Sequence, residues 1–319
     1  MSEPAQPDTR VAIVGAGYMG HEHARAFADV PGVKVTGIYS RTADRATTVA
    51  SELDIPTVAR SIDELWDRAR PDLVVVAVHE TAMLEVSNAC FAHPWTVLLE
   101  KPPGLSVREA EAIRGEAERM GRRVLVGLNR RFYSVTRAAV AGLAPAEGRR
   151  FIHVQDQQDL ERDPRPWQRG FARESWMYAN SIHVIDLLRV FGRGDVTDVR
   201  AVIPWDPRSP DVVLAAIDFS SGDRGLYEGI WHGPGPWAVS VTMADVRWEM
   251  RPLERARVQR RGQRTQEDVP GDDWDTRFKP GLRRQAEHAV AAARGRPNES
   301  VSLVDGIETM RLIQRIFSR

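Results

Sequence analysis

Hydrophobic positions follow two different rhythms along the chain. Up to residue 128, short apolar runs alternate with segments of helical period. Val11, Ile13 and Val14, then Val33–Tyr39, Thr57-Val58, Asp72–Val78, Thr96–Leu99 and Val124–Val126 read as strands. Between them, 18–28, 42–53, 62–69, 81–92 and 106–120 read as helices. Ser61 with Glu64, and Ser106 with Glu109, stand at capping-box spacing. The Asp72–Val78 run is apolar on both faces, as in a strand covered on both sides. Strand–helix repeats of this length predict a parallel sheet with helices on both faces.

From Asn129 onward the pattern turns to alternation. Phe151–Gln157, Asp198–Ile203, Val212–Phe219, 225–232, 237–243 and Val246–Met250 read as strands. Tight turns such as Ser221-Gly222-Asp223 separate them, which predicts antiparallel meanders. Arg255–Glu267 reads as an exposed strand or loop. Helices over 175–191, 282–294 and 303–316 are expected to cover this sheet. The fold class is thus α/β followed by α+β, with domains at 1–128 and 129–319.

Composition narrows the function. A chain of 319 residues exceeds one ordinary core. Lys+Arg and Asp+Glu each number 44, so no bulk charge argues for nucleic acid. The single cysteine, Cys90, permits no internal disulfide and no cysteine-built metal site, and it reads as an inert core thiol. No metal site is expected. Met1–Thr9 is polar and no stretch reaches membrane-spanning length, so a cytoplasmic protein without membrane contact is expected.

The chemistry begins at Arg10–Gly20, RVAIVGAGYMG. Gly15-Ala16-Gly17-Tyr18-Met19-Gly20 is G-x-G-x-x-G, placed after a strand and opening a helix, as a Rossmann dinucleotide site requires. Gly15 allows the tight turn, Gly17 admits a pyrophosphate, and Gly20 lets helix pack on strand. Tyr18 and Met19 complete the loop. His21 and His23 read as packing or solvated histidines. Where an NAD enzyme places an acidic residue on the ribose diol, this chain has Ser40-Arg41-Thr42. A carboxylate there repels a 2′-phosphate and a guanidinium pairs with it, so NADP(H) is expected over NAD(H). Lys101, after Glu100 and before Pro102, stands at the carboxyl end of a strand, where it can hydrogen-bond a substrate oxygen and share its proton.

The glycine stretch, Glu100-Lys101-Pro102, Asn129-Arg130-Arg131-Phe132 and His183-Val184-Ile185-Asp186 together resemble the glucose–fructose oxidoreductase / inositol dehydrogenase / rhizopine-catabolism (Gfo/Idh/MocA) family. The resemblance covers nearly the whole chain in order. It implies a Rossmann domain, then a domain with a large open, mostly antiparallel sheet, and NAD(P)-dependent chemistry on sugars or cyclitols. The family's lysine falls on Lys101.

Ser175–Gly192, SWMYANSIHVIDLLRVFG, reads as one helix that places His183 and Asp186 on one face. In many relatives the position one turn before the histidine is an aspartate; here it is Ala179, flanked by Tyr178 and Asn180. His183 is the expected proton-transferring residue, with Asp186 orienting it or contacting substrate, and Tyr178 a second candidate. Candidate substrate contacts are Asn129, Arg131, Asn180 and Asp186, with Trp167 and Arg169 from an arginine-rich loop. The expected partner is a small carbohydrate-like substrate. An open sheet face predicts a homodimer or homotetramer. The resemblance leaves two other readings open, a redox-neutral sugar hydrolysis or elimination with tightly held cofactor, and a cofactor-binding regulator.

Overall fold

The computed structural model describes residues 8–159 and 175–318. The chain forms two compact units, Met1–Leu128 with Thr276–Ile307, and Asn129–Asp275 with Glu308–Arg319.

The first unit holds a sheet of six strands, β1 (Thr9–Val14), β2 (Val33–Tyr39), β3 (Val58–Ala59), β4 (Leu73–Val76), β5 (Thr96–Glu100) and β6 (Val124–Gly127). Their order is β3-β2-β1-β4-β5-β6, with every pairing parallel. Helices α1 (Tyr18–Ala28), α2 (Ala43–Glu52), α3 (Ile62–Ala69), α4 (Met83–Phe91) and α5 (Val107–Arg119) connect the strands. Both expected capping boxes form. Ser61 accepts from the Glu64 N–H at 3.0 Å and Ser106 from the Glu109 N–H at 3.2 Å. Each glutamate reaches back one residue further than expected, to the N–H of Arg60 or Leu105. Cys90 is fully buried, which pushes its thiol up to about 12.

The second unit begins with a 3-10 turn, Asn129–Phe132, and α6 (Ser134–Leu143). Its strands are β7 (Phe151–Gln157), β8 (Val196–Ile203), β9 (Val212–Phe219), β10 (Arg224–Ile230), β11 (Ala238–Thr242), β12 (Val246–Met250), β13 (Ala256–Arg260) and β14 (Glu267–Val269). They form one sheet of eight in the order β14-β13-β12-β11-β7-β10-β9-β8. The meander is interrupted at one place. β7 enters the middle of the sheet, parallel to β10 and antiparallel to β11. Along β7, β9 and β10 every second residue is buried and the others are half-exposed or, at Phe151 and Arg224, exposed, so one face carries the core. Helix α7 (Ile182–Phe191) packs against β7, and α6 against β12 and β13.

The expected single domain over 129–319 is corrected in one respect. Residues 276–307 return to the first unit. Helix α8 (Leu282–Ala293) does not cover the antiparallel sheet; it packs on α1. Leu282, Ala286, Ala289 and Val290 join Phe27 in the first core. Arg283 fixes this docking through Asp29 at 2.7 Å. The period of α8 gave its apolar face correctly, but an apolar face does not state which core it enters. In the closing helix α9 (Leu303–Phe317), Phe317 packs edge-on against Trp205 in the second unit.

Candidate active site

In the first unit, parallel pairing brings the carboxyl ends of β1, β2 and β5 to one edge of the sheet, the edge where open α/β sheets bind ligands. The three fingerprint glycines differ in their surroundings. Gly15 has φ +111°, and a Cβ there would stand 2.1 Å from the Ala77 carbonyl oxygen. A Cβ on Gly20 would stand 1.9 Å from the Gly15 oxygen. These two are required by the turn itself. At Gly17 a Cβ would meet nothing within 4 Å, so its smoothness serves space outside the protein. Gly17 caps α1 without a side-chain hydrogen bond, leaving first-turn N–H groups for an anion. This cradle fits a dinucleotide pyrophosphate. Tyr18 is exposed, and Met19 is half-buried against the apolar core.

At the end of β2, Ser40 Oγ accepts from the Thr42 N–H at 3.3 Å, and Thr42 caps α2 in an extended conformation. Arg41 between them is exposed and makes no hydrogen bond or ion pair among the described residues. At the end of β5, Glu100 is buried with its carboxylate 2.6 Å from Nε2 of His23. Burial opposes ionisation of Glu100, but the His23 hydrogen bond and the charges of His23 and Lys101 outweigh it and hold the carboxyl below its ordinary range. His23 is therefore neither a solvated nor a merely packing histidine; it ties α1 to the residue that precedes Lys101. The half-buried Lys101 is joined to Pro102 by a cis peptide.

In the second unit the segment ahead of His183 is not a plain α-helix. Met177–Ser181 forms a π-helical turn that leads into α7. Such turns insert one residue into a helix and occur often at functional sites. Tyr178 and Asn180 are half-buried within it, and Ala179 is buried. Burial pushes the Tyr178 hydroxyl pKa up, keeping it a hydrogen-bond donor. His183 is buried with its ring centroid 6.4 Å from that of Trp237. The Arg130 guanidinium lies over the same indole at 4.9 Å. Trp237 thus belongs to the surroundings of His183.

Two expected substrate contacts are occupied otherwise. Arg131 grips both oxygens of the buried Asp186 at 2.6 and 2.7 Å, and Thr309 donates to Asp186 at 2.7 Å. The Asp186 carboxylate is thereby turned to Arg131 and α9. Asn180 donates to Gln158 at 2.7 Å. Asn129 is buried, with its side-chain oxygen accepting from Arg130 at 3.2 Å. Trp167 and Arg169 lie outside the described residues. Sequence reasoning missed Gln158 and the buried Asp156. Alternation along β7 already turned Asp156 inward with Ile152 and Val154, and a carboxylate on a core face was the available signal.

Among the described residues no group of three or more His, Cys, Asp or Glu could hold a metal, and no helix is long and apolar enough to cross a membrane.

Comparison with known proteins supports the fold and the first unit. Residues 9–128 match the family described as "Oxidoreductase family, NAD-binding Rossmann fold", GFO_IDH_MocA. A 4-carboxy-2-hydroxymuconate-6-semialdehyde dehydrogenase of Sphingobium sp. is 24% identical over 213 residues, 65% of each chain. Inositol 2-dehydrogenase 1 of Paenarthrobacter aurescens is 24% identical over 202 residues, 63% of this chain and 59% of that protein. The match thus spans less than two thirds of either relative. The crystal structure of a dehydrogenase from Chromobacterium violaceum superposes with a TM-score of 0.84 at 20% identity, covering 98% of this chain and 95% of that one. Residues 9–128 thus match the Rossmann-domain model of the Gfo/Idh/MocA family, and the described fold is that of the superposed dehydrogenase.

Proposed function

We propose that the protein is an NADP(H)-dependent oxidoreductase that interconverts a hydroxyl and a ketone on a sugar- or cyclitol-like substrate. The observation that carries this reading is Lys101, held behind a pinned Glu100 at the same sheet edge as the glycine turn. The similarity to an inositol 2-dehydrogenase supports the substrate class.

When bound, the nicotinamide supplies or accepts the hydride. The glycine turn and the first N–H groups of α1 hold the pyrophosphate. Arg41, exposed at the end of β2, pairs with the 2′-phosphate, and Ser40 and Thr42 shape the turn around it. Lys101 donates a hydrogen bond to the substrate oxygen and stabilises negative charge on it, while the Glu100–His23 pair fixes the backbone from which Lys101 projects. His183 takes or returns the hydroxyl proton, a task for which imidazole's ordinary pKa is suited. Tyr178 keeps its proton and acts as a donor beside Ala179, the position where the family resemblance implies a carboxylate. Asn180 contacts substrate, whereas Asn129 is buried against Arg130. Arg131 and Asp186 position α7 rather than touch substrate. The half-exposed face of the eight-stranded sheet pairs with a second copy.

The test is reduction of NADP+ and NAD+ by the purified protein with a panel of cyclitols and aldoses. Turnover with NADP+ on a member of that panel is expected. Tight NADP(H) binding with no turnover on any sugar or cyclitol, in either direction, contradicts the proposal.

A further inference from the structure

A buried polar cluster sits directly behind the π-helical turn. The Gln158 side-chain oxygen accepts from Trp176 Nε1 and Asn180 Nδ2, both at 2.7 Å. Its nitrogen donates to Asp156 at 2.6 Å and to Ser181 Oγ at 3.2 Å. Trp176 precedes the turn, and Asn180 and Ser181 close it, so one amide spans the turn from end to end. Its capacity of two donors and two acceptors is fully used. The backbone of Gln158 is pinned as well, its N–H to Ile230 O at 2.9 Å and its C=O to the Gly233 N–H at 3.2 Å. Asp156 orients the amide. Its other oxygen accepts from Tyr227 Oη at 2.6 Å and Trp231 Nε1 at 3.1 Å. A π-helical turn has poorer local energetics than an α-helical one and persists where its surroundings over-determine it. Here that surrounding is the Gln158 amide.

We propose that Gln158 is a positioning residue: oriented by Asp156, it clamps the π-helical turn Met177–Ser181 and thereby sets where Tyr178 and His183 stand. The clamp itself is independent of the enzyme's substrate, whereas its consequence for catalysis rests on the function proposed above. An asparagine at 158 is one methylene too short to reach Trp176 and Asp156 together. A glutamate keeps the reach and both acceptors, but sets a carboxylate against Asp156. Among the described residues the groups facing Asp156 are Gln158 just after β7, Ser181 from the turn, Tyr227 from β10 and Trp231 after it, none of them cationic. In Q158E the two carboxylates therefore hold one proton between them at low pH and repel once it is lost.

The experiment is hydrogen–deuterium exchange of the full-length protein, wild type, Gln158→Met and Gln158→Glu. In Q158M, exchange of the amides of 177–181 is expected to rise at least about tenfold, with β9 and β10 unchanged. In Q158E, protection of 177–181 is expected to fall as pH rises, after allowance for intrinsic exchange, and by more than in wild type. Unchanged exchange over 177–181 in Q158M overturns the clamp. So does uniform loosening of the whole second unit, or a pH-independent Q158E. The catalytic arm measures kcat with NADP+ and myo-inositol. A fall in kcat with unchanged NADPH affinity is expected in Q158M. A loosened turn with full kcat overturns the positioning role. A wild-type enzyme inert toward sugars and cyclitols counts against the proposed function and leaves the exchange result to decide the clamp.

Discussion

Arg131 and Asp186 meet in a two-point ion pair, with Nε and Nη2 of the guanidinium on the two carboxylate oxygens at 2.6 and 2.7 Å. Asp186 is 1% exposed, so the pair is desolvated on the carboxylate side. The contact joins the 3-10 turn that opens the second unit to α7, the helix that carries His183. A residue in a motif can therefore serve a site through architecture.

Arg131→Ala leaves a buried carboxylate that keeps the hydrogen bond from Thr309 but loses its ion pair. Breaking such a pair costs about 3–5 kcal/mol. Chemical denaturation is expected to show a loss of that order, and Arg131→Ala with Asp186→Asn should recover part of it. A loss below about 1 kcal/mol, the scale of an exposed pair, contradicts the assignment.

Arg41→Ala is expected to weaken NADP(H) by about 1–3 kcal/mol, the scale of a charge-assisted hydrogen bond, and to leave NAD(H) nearly unchanged. Calorimetry with both cofactors measures it. Equal wild-type affinities remove the basis for the NADP(H) assignment.

Acid sensitivity should centre on Asp223. Its carboxylate is fully buried. Burial opposes ionisation, but Arg193 at 2.6 and 2.8 Å and the Arg150 and Arg193 N–H groups outweigh it and hold the carboxyl at about 2. A lowered native value means stability that is complete above the unfolded carboxylate pKa of about 3.9 and lost as pH falls toward 2. Urea midpoints should fall over that window in wild type, and less steeply in Asp223→Asn, which starts lower.

The proposed assembly uses the half-exposed sheet face, where His153 and Gln155 pair with Glu228 at 2.9 and 3.2 Å. Light scattering at micromolar concentration is expected to give a dimer or tetramer. Glu228→Lys, which replaces both pairings with repulsion or loss, should shift it toward monomer.

Much of the fold was legible because it rests on period. Apolar runs gave the parallel strands, and the alternation in Val212–Phe219 gave a one-sided strand. The glycine turn was legible because its constraints are local: Gly15 and Gly20 contact atoms of their own β–α unit and of the strand beside it. What period does not carry is destination. The amphipathic face of α8 suits either core, and Arg283 with Asp29 decides between them across 254 positions of sequence. The π-helical turn was hidden for a similar reason. Its cause is Gln158, on another element, and Met177–Ser181 by itself reads as ordinary helix. His23 looked unremarkable until Glu100 came within 2.6 Å.

The most direct test of the account is single-turnover and steady-state kinetics of Lys101→Ala and His183→Ala, alongside NADPH binding. Each is expected to lower kcat by roughly 10²–10⁴-fold, the scale of a general acid or base, with NADPH affinity barely changed. Tyr178→Phe should cost less than either, because a retained hydroxyl donor assists the proton transfer without carrying it. Near wild-type kcat in His183→Ala, or a loss in Tyr178→Phe as large as in Lys101→Ala, contradicts the assignment of the proton to His183.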